Sequence, residues 1–402
     1  MKILLLGEYS NVHHTLCEAL RRAGHDVLLI SDGDGWKDYP RDVDLRRKQA
    51  GPLGSLRYLA RLATLLPRLR GYDVVQIINP IFLDVKARWN RWVFDYLRRH
   101  NRVMSVGCFG DDTYVIERMQ DPSCFVYSDF QAYGRPIDHD NNRRRIATWT
   151  QPDKAALTRY VMAHAHCLIA CLYEYWRVYD LPEFRARLHF IQAPLFSPQG
   201  GRTCQSVHSS PLEGKRGGLR LRILFAAQKS RGQMKGTDQM EPLFDRLAAA
   251  YPDRIELHKI VSVPFAEYQR LVAEADVVID QLYSYTPAMG ALESLGQGKV
   301  VVSGYEMEYA HFLHPQSVGV SACYDAVALA RESGIINLRP FADEANYQVL
   351  EQLLTDRDSV AQLKEAALGF VRRYHDADAV AARYISVWSL ANGVGVVSSS
   401  SR

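Results

Sequence analysis

The chain has 402 residues, 47% of them hydrophobic and 23% charged, and a net charge of +4. That is enough chain for two domains with cores of their own. The ordinary composition excludes a disordered, collagenous or coiled-coil architecture. No run of about 18 apolar residues occurs, which excludes an ordinary spanning helix. The opening MKILLLGEYS reads as a buried strand rather than an export signal, so the chain is expected in the cytoplasm.

The elements follow a repeating rhythm. Lys2 to Leu6 is a short apolar run ended by Gly7, and a loop follows through Asn11 and His13. Residues 14–23 set Leu16, Ala19, Leu20 and Ala23 on one helical stripe, which Gly24 stops. Asp26 to Ile30 is the next strand. Strands are then predicted over 74–78, 102–109, 166–171 and 188–194, with helices over 86–100 and 153–165. Continuous apolar strands alternating with helices predict a doubly wound α/β domain. Residues 197–218 lose the apolar period and read as a linker. The pattern restarts with strands at 220–227, 254–260, 275–280 and 299–304, and helices at 237–250, 264–274 and 287–297. Helical text over 358–391 precedes a Ser-rich tail. Two such domains imply a cleft that takes two substrates.

Seven scattered cysteines do not resemble a disulfide framework and fit a reducing compartment. The cluster His164, His166, Cys167 and Cys171 reads as part of a buried strand rather than a metal site. Residues 1–200 hold 28 Lys and Arg against 22 Asp and Glu, while the remainder is slightly acidic. The basic clusters of the first half resemble no nucleic-acid module, and no nucleic-acid partner is expected. The segment 55–70 puts Leu56, Leu59, Ala63 and Leu66 on one face, with Arg57, Arg61 and Arg68 elsewhere. It reads either as a helix packed on its sheet or as a surface helix contacting an anionic membrane.

Three motifs carry chemistry. Gly7 to Asn11 ends the first strand, where a glycine lets a ligand approach and the following helix offers N–H groups to an anion. It is not a dinucleotide fingerprint. His13 and His14 beside it are candidate bases or hydrogen-bond donors. The run from Gln228 to Asp238 opens a helix after a strand and contains Lys229, Arg231, Lys235 and Gly236, a setting suited to a diphosphate. The run from Asp280 to Val300 holds a helix start near Met289 and Gly290, with Glu293 placed to take the hydroxyls of a ribose.

These residues together resemble the GT-B-fold glycosyltransferases, in particular the family 4 (group 1) type. The most specific part is ADVVIDQLYSYTPAMGALESLGQGKVVVSG (275–304), with Gly290, Leu292-Glu293 and Gly298-Lys299 as the match. Lys235-Gly236 matches the phosphate-binding element. YHDADAVAARYISVW (374–388) is similar to the terminal helix of that fold. The resemblance implies two Rossmann-like domains facing across a cleft. It gives an acceptor domain over 1–196 joined by the terminal helix 372–392, a linker over 197–218 and a donor domain over 219–371. It implies transfer of a sugar from a UDP- or GDP-linked donor to a glycan or lipid-linked acceptor, retaining, in cell-surface polysaccharide synthesis. Lys235 with Lys229 or Arg231 would hold the diphosphate, Glu293 the ribose, and Met289 and Gly290 amides the sugar. No cofactor or metal is implied, and Asp32-Gly33-Asp34 and Asp111-Asp112 are read as non-metal.

Three departures stand out. Tyr285 occupies the first position of the family's E-x7-E pair. Ser230 occupies the position of its arginine. Phe109-Gly110-Asp111-Asp112 lacks the histidine of the H-G-x-D element. For an inverting reaction His13, His14 and Asp111 are the candidate bases. The alternatives are a sugar-nucleotide epimerase of the same fold and a silent nucleotide-sugar-binding subunit.

Overall fold

The computed structural model describes residues 1–196, 220–227, 232–314 and 325–394. The expected linker, the Ser-rich tail and Lys229, Ser230 and Arg231 lie outside them. In the first half, β1 (Lys2–Leu6), β2 (Asp26–Ser31), β3 (Val43–Asp44), β4 (Val74–Ile77) and β5 (Val103–Cys108) come first. A short antiparallel hairpin, β6 (Gln131–Ala132) and β7 (Arg135–Pro136), precedes β8 (Cys167–Ala170) and β9 (Leu188–Phe190). Apart from the hairpin these strands form one parallel sheet in the order β3-β2-β1-β4-β5-β8-β9. In the second half β10 (Leu221–Ala227), β11 (Ile255–Val261), β12 (Val277–Ile279), β13 (Val300–Val302) and β14 (Ile335–Ile336) form a parallel sheet in the order β11-β10-β12-β13-β14.

The apolar runs explain both sheets. Every residue of β4, β5, β8, β12 and β13 is buried, as expected of parallel strands covered by helices on both faces. Both sheets also reverse their winding beside the first strand. β1 lies between β2 and β4, and β10 lies between β11 and β12. Successive connections therefore leave in opposite directions, and the loops after these strands part. Such a switch point at the carboxyl ends of the strands is where an open α/β sheet takes its ligand.

The described residues divide into two compact units. One comprises Met1–Arg118, Arg145–Pro194 and His375–Arg402, and the other Met119–Arg144 and Leu195–Tyr374. Residues 1–196 are expected in one domain, whereas Met119–Arg144, with the hairpin, packs in the second unit. Specific bonds hold it there. Tyr127 Oη donates to Glu306 Oε1 (2.6 Å), and the Val126 amide donates to Tyr285 Oη (3.0 Å).

The expected helical stretch 358–391 is two helices, Arg357–Tyr374 and Ala377–Val394. Asp376 starts the second by accepting the Ala379 amide at 2.9 Å. His375, between the helices, bonds the Ala193 carbonyl through Nδ1 (2.8 Å). The terminal helix then packs on the first helix, Val12–Arg22, and buries Tyr384 and Trp388.

Trp388 is fully buried, with its ring 5.2 Å from that of Tyr384. Replacing it with alanine leaves a cavity that costs about 3–5 kcal/mol. Urea unfolding of Trp388→Ala should show that loss in the unit carrying the terminal helix.

Candidate functional site

In the first unit the polar residues gather where β1, β2, β4 and β5 end. Gly7 has φ of +87°, and a Cβ there would stand 2.2 Å from Ile78 Cγ2, so only glycine fits this turn. Ser10 (φ 52°) and Asn11 (φ 70°) are also left-handed, a concentration of strained backbone in one loop. The sequence analysis offers the helix start after this loop to an anion, and the structure fills it from within. Glu8 is buried and accepts the His13 amide on Oε1 (3.2 Å) and the His14 amide on Oε2 (2.7 Å). Burial pushes its carboxyl up to about 8, against the pull of those two amides.

His13 is fully buried. Its Nδ1–H donates to the Gly7 carbonyl (2.8 Å), which leaves Nε2 as an acceptor without a partner among the described residues. Burial lowers its pKa to about 4, so the ring is neutral at pH 7. The ring meets Phe109 edge-on, with centroids 6.2 Å apart. An imidazole thus stands beside position 109, where the H-G-x-D element would carry its own. His14 is half-buried and bonds Asn11 Oδ1 through Nδ1 (2.9 Å), and burial lowers its pKa.

Asp111 is gripped by Arg145 through two bonds of 2.7 Å. Its carbonyl accepts Asn79 Nδ2 (3.1 Å) from the end of β4. Asp112 is buried and accepts the Val115 amide (3.0 Å) and the Tyr179 hydroxyl, and burial raises its pKa to about 7. Lys37 bonds Asp34 Oδ2 (2.7 Å) and Ser10 Oγ (3.1 Å). Lys37, Asn79 and Arg145 carry no motif of their own. Their signal is position alone, since Asn79 follows a strand and Lys37 follows the Asp32–Gly35 turn.

In the second unit Lys235 ends a short helix, Gly232–Lys235, after β10. Its Nζ bonds Asp280 Oδ1 at 2.6 Å, and the Ser303 hydroxyl lies 3.3 Å from Asp280 Oδ2. Asp280 and Ser303 follow β12 and β13, so the carboxyl ends of three parallel strands contribute to one cluster. Gly236 has φ of +67°, and a Cβ there would meet Leu282 Cβ at 2.7 Å. This close approach lets the Lys235 carbonyl accept the Leu282 amide at 2.7 Å.

The helix Met289–Gly296 begins without a side-chain cap on Ala288, and its first internal bond joins the Leu292 amide to Ala288. Gly290 is exposed, with open space where a Cβ would stand. Glu293 is half-buried one turn further on. Asp280 and Glu293 both raise the pKa of the Tyr268 phenol, adding to the effect of burial. Lys235, Asp280, Glu293 and Tyr268 therefore share one electrostatic neighbourhood. Lys299 serves packing, with Nζ on the Ala273 carbonyl (2.7 Å). Tyr285 is buried against Phe125 and Tyr127.

No group of three or more His, Cys, Asp or Glu among the described residues is arranged to hold a metal ion. In the His164–Cys171 cluster, His166 Nδ1 accepts the Met104 amide (2.9 Å) and His164 Nδ1 bonds the Tyr160 carbonyl (2.7 Å).

No family model matches the chain, and no curated protein matches it in sequence. Solved structures do. A sucrose-phosphate synthase from Thermosynechococcus elongatus is 13% identical over 97% of this chain and 99% of its own, with a TM-score of 0.55. The Anabaena protein HepE, in complex with UDP and glucose, is 13% identical over 97% and 99%, with a TM-score of 0.52. WaaG, a glycosyltransferase involved in lipopolysaccharide biosynthesis, is 16% identical over 96% and 99%, also at 0.52. The chain thus has the two-domain α/β fold of the GT-B glycosyltransferases.

Glu8 ionises near pH 8 when folded, against 4.5 for a free carboxyl. The folded chain binds this proton more tightly than the unfolded one, so stability falls as pH rises through that window. In Glu8→Gln this component disappears. Urea midpoints of both proteins from pH 5 to about 8 should lie nearest at the acid end and separate toward the alkaline end, where only the parent buries a charge; parallel pH slopes would contradict the assignment.

Proposed function

We propose that the chain is a glycosyltransferase moving a hexose from a nucleotide-diphosphate sugar to a glycan or lipid-linked acceptor. The observation that carries this reading is the Lys235–Asp280 pair at the strand ends of a GT-B-type donor unit, with Glu293 half-buried on the helix Met289–Gly296. Lys235 supplies positive charge where the leaving diphosphate gathers negative charge, and Asp280 fixes its direction. The uncapped helix start at Met289 and Gly290 offers amides to the same anion or to sugar hydroxyls. Glu293 accepts hydrogen bonds from the ribose. Lys229 or Arg231, both outside the described residues, is the second cation this reading assigns to the diphosphate. The HepE complex, whose fold this chain shares, favours a UDP-linked donor.

The reaction is read as retaining and as a step of cell-surface polysaccharide synthesis. Tyr285 cannot supply the acid of the E-x7-E pair, because its phenol is committed to the Val126 amide. Were the reaction to invert, His13 would be the best-formed base of the three candidates, since the Gly7 carbonyl fixes its tautomer and leaves Nε2 as an acceptor. Asp111 carries less weight as a base, because Arg145 holds both of its oxygens.

Thermal shift against UDP- and GDP-sugars tests the reading: a ligand at 100 times its Kd stabilises by ~2.7 kcal/mol. Lys235→Ala should then lower kcat/KM by about two to three orders of magnitude, or ~2.7–4 kcal/mol of barrier. Wild-type turnover in that variant would remove Lys235 from the chemistry. Epimerisation of the donor without any acceptor would replace the transferase reading, and the product anomer by NMR decides between retention and inversion.

A further inference from the structure

The sequence leaves two readings for residues 55–70, and the structure separates them. The helix Gly51–Leu65 packs inward through Gly54, Tyr58, Leu62 and Leu65. The stripe that includes Leu56 and Ala63 is therefore a second apolar stripe, turned outward. Leu53 is 58% exposed and Leu56 64%. The helix Ala87–His100 repeats the arrangement. Asn90, Val93, Phe94 and Leu97 face inward, while Trp89 (40%) and Trp92 (49%) face solvent. Hydrogen bonds link each helix to a residue flanking the other. Tyr58 Oη accepts the Asp84 amide (3.3 Å), and Tyr96 Oη donates to the Leu66 carbonyl (2.9 Å). Four of the eleven large exposed hydrophobic side chains among the described residues sit on these two helices.

Charge gathers in the same place. Residues 46–102 contain thirteen Lys and Arg against three acids, Asp73, Asp84 and Asp95. The whole chain carries only +4, so everything outside this segment is net acidic. Among the described residues, ion pairs engage only Arg46, Arg47 and Arg102 of the thirteen. Arg57 and Arg61 are exposed on the same helix as Leu56, and Arg88 lies 5.5 Å over the Trp89 ring.

We propose that this face of the Gly51–Leu65 and Ala87–His100 helices docks on the surface of a bilayer containing anionic lipid. Exposed leucines and tryptophans beside unpaired arginines are the two components such a surface needs. Apolar side chains enter the headgroup boundary, and cations meet lipid phosphates. Indole rings suit that boundary because one edge is polar. No helix among the described residues is long and apolar enough to cross a membrane, so the contact is peripheral. The inference is independent of the donor chemistry, although a surface-docked enzyme would meet a lipid-linked acceptor directly.

Vesicle co-sedimentation of the full chain tests it. Binding is expected to mixed phosphatidylcholine–phosphatidylglycerol vesicles at low salt. It should fail on phosphatidylcholine alone and collapse near 1 M salt, where charges are screened beyond ~3 Å. Arg57→Glu with Arg61→Glu, and separately Leu53→Ser with Leu56→Ser, should each lower the partition coefficient about ten-fold or more. Their unfolding midpoints should match the parent, since all four side chains are outward. Brominated lipid should quench tryptophan emission less in Trp89→Phe with Trp92→Phe. Absence of binding to anionic vesicles at low salt would overturn the proposal, as would two variant pairs that bind like the parent. A concentration-dependent dimer dissolved by the leucine substitutions, without vesicle binding, would instead assign the face to a second copy of the chain.

Discussion

The ion pair between Lys235 and Asp280, 2.6 Å long, is the contact on which the donor-side reading depends. Parallel strands end together, and their loops must find partners for side chains brought into close company. Here a lysine following β10 meets an aspartate following β12, and Ser303 following β13 supports that aspartate. The lysine is thereby held at the strand ends, not spread over a solvated loop. A cation already held by one carboxylate keeps its direction and loses little freedom when an anion arrives. Preorganisation of this kind stabilises charge that develops during a reaction.

The two units apply one topology to different ends. Each reverses its winding beside the first strand, and each sends a helix from the loop that follows. In the first unit the helix start is occupied by Glu8, whose two oxygens accept successive amides. In the second, the helix Met289–Gly296, which follows β12 rather than β10, starts without a side-chain cap among the described residues. A helix start attracts whatever anion is nearest. The Glu8 carboxyl, with both oxygens turned to those amides, takes up that capacity in the first unit and leaves its loop to His13, Asn79 and the Asp111–Arg145 pair. The buried, neutral imidazole of His13 suits an uncharged hydroxyl better than a phosphate.

Much of the fold was legible because parallel strands are buried on both faces and so read as unbroken apolar runs such as Leu4–Leu6, Val74–Ile77 and Val300–Val302. The stop at Gly24 and the restart near Leu221 followed from local chemistry. The Glu8 cap was not legible, because an acid after a strand-ending glycine looks the same whether it faces a ligand or the helix behind it. The Arg145–Asp111 pair joins residues 34 positions apart, and no local period reports such a meeting. The break at His375 was hidden because Tyr374 and Ala377 both continue a helical pattern. Only Asp376, used as a cap, marks it.

The exchange of an acid for Tyr285 shows how a site position can be absorbed by packing. A carboxylate there would need water or a sugar hydroxyl as partner. The phenol instead lies buried between Phe125 and Tyr127 and accepts the Val126 amide. The acid nearby in the chain, Glu306, is buried and equally committed. It accepts the Tyr127 hydroxyl, Asn337 Nδ2 (2.9 Å) and Arg339 through Nε and Nη2. An acid with all its donors supplied by protein is a structural fastener, and removing one partner would strand a buried charge. Together Tyr285 and Glu306 fasten Met119–Arg144 to the second unit. The same exchange that removes a carboxylate from the expected sugar position therefore gains an anchor for that segment.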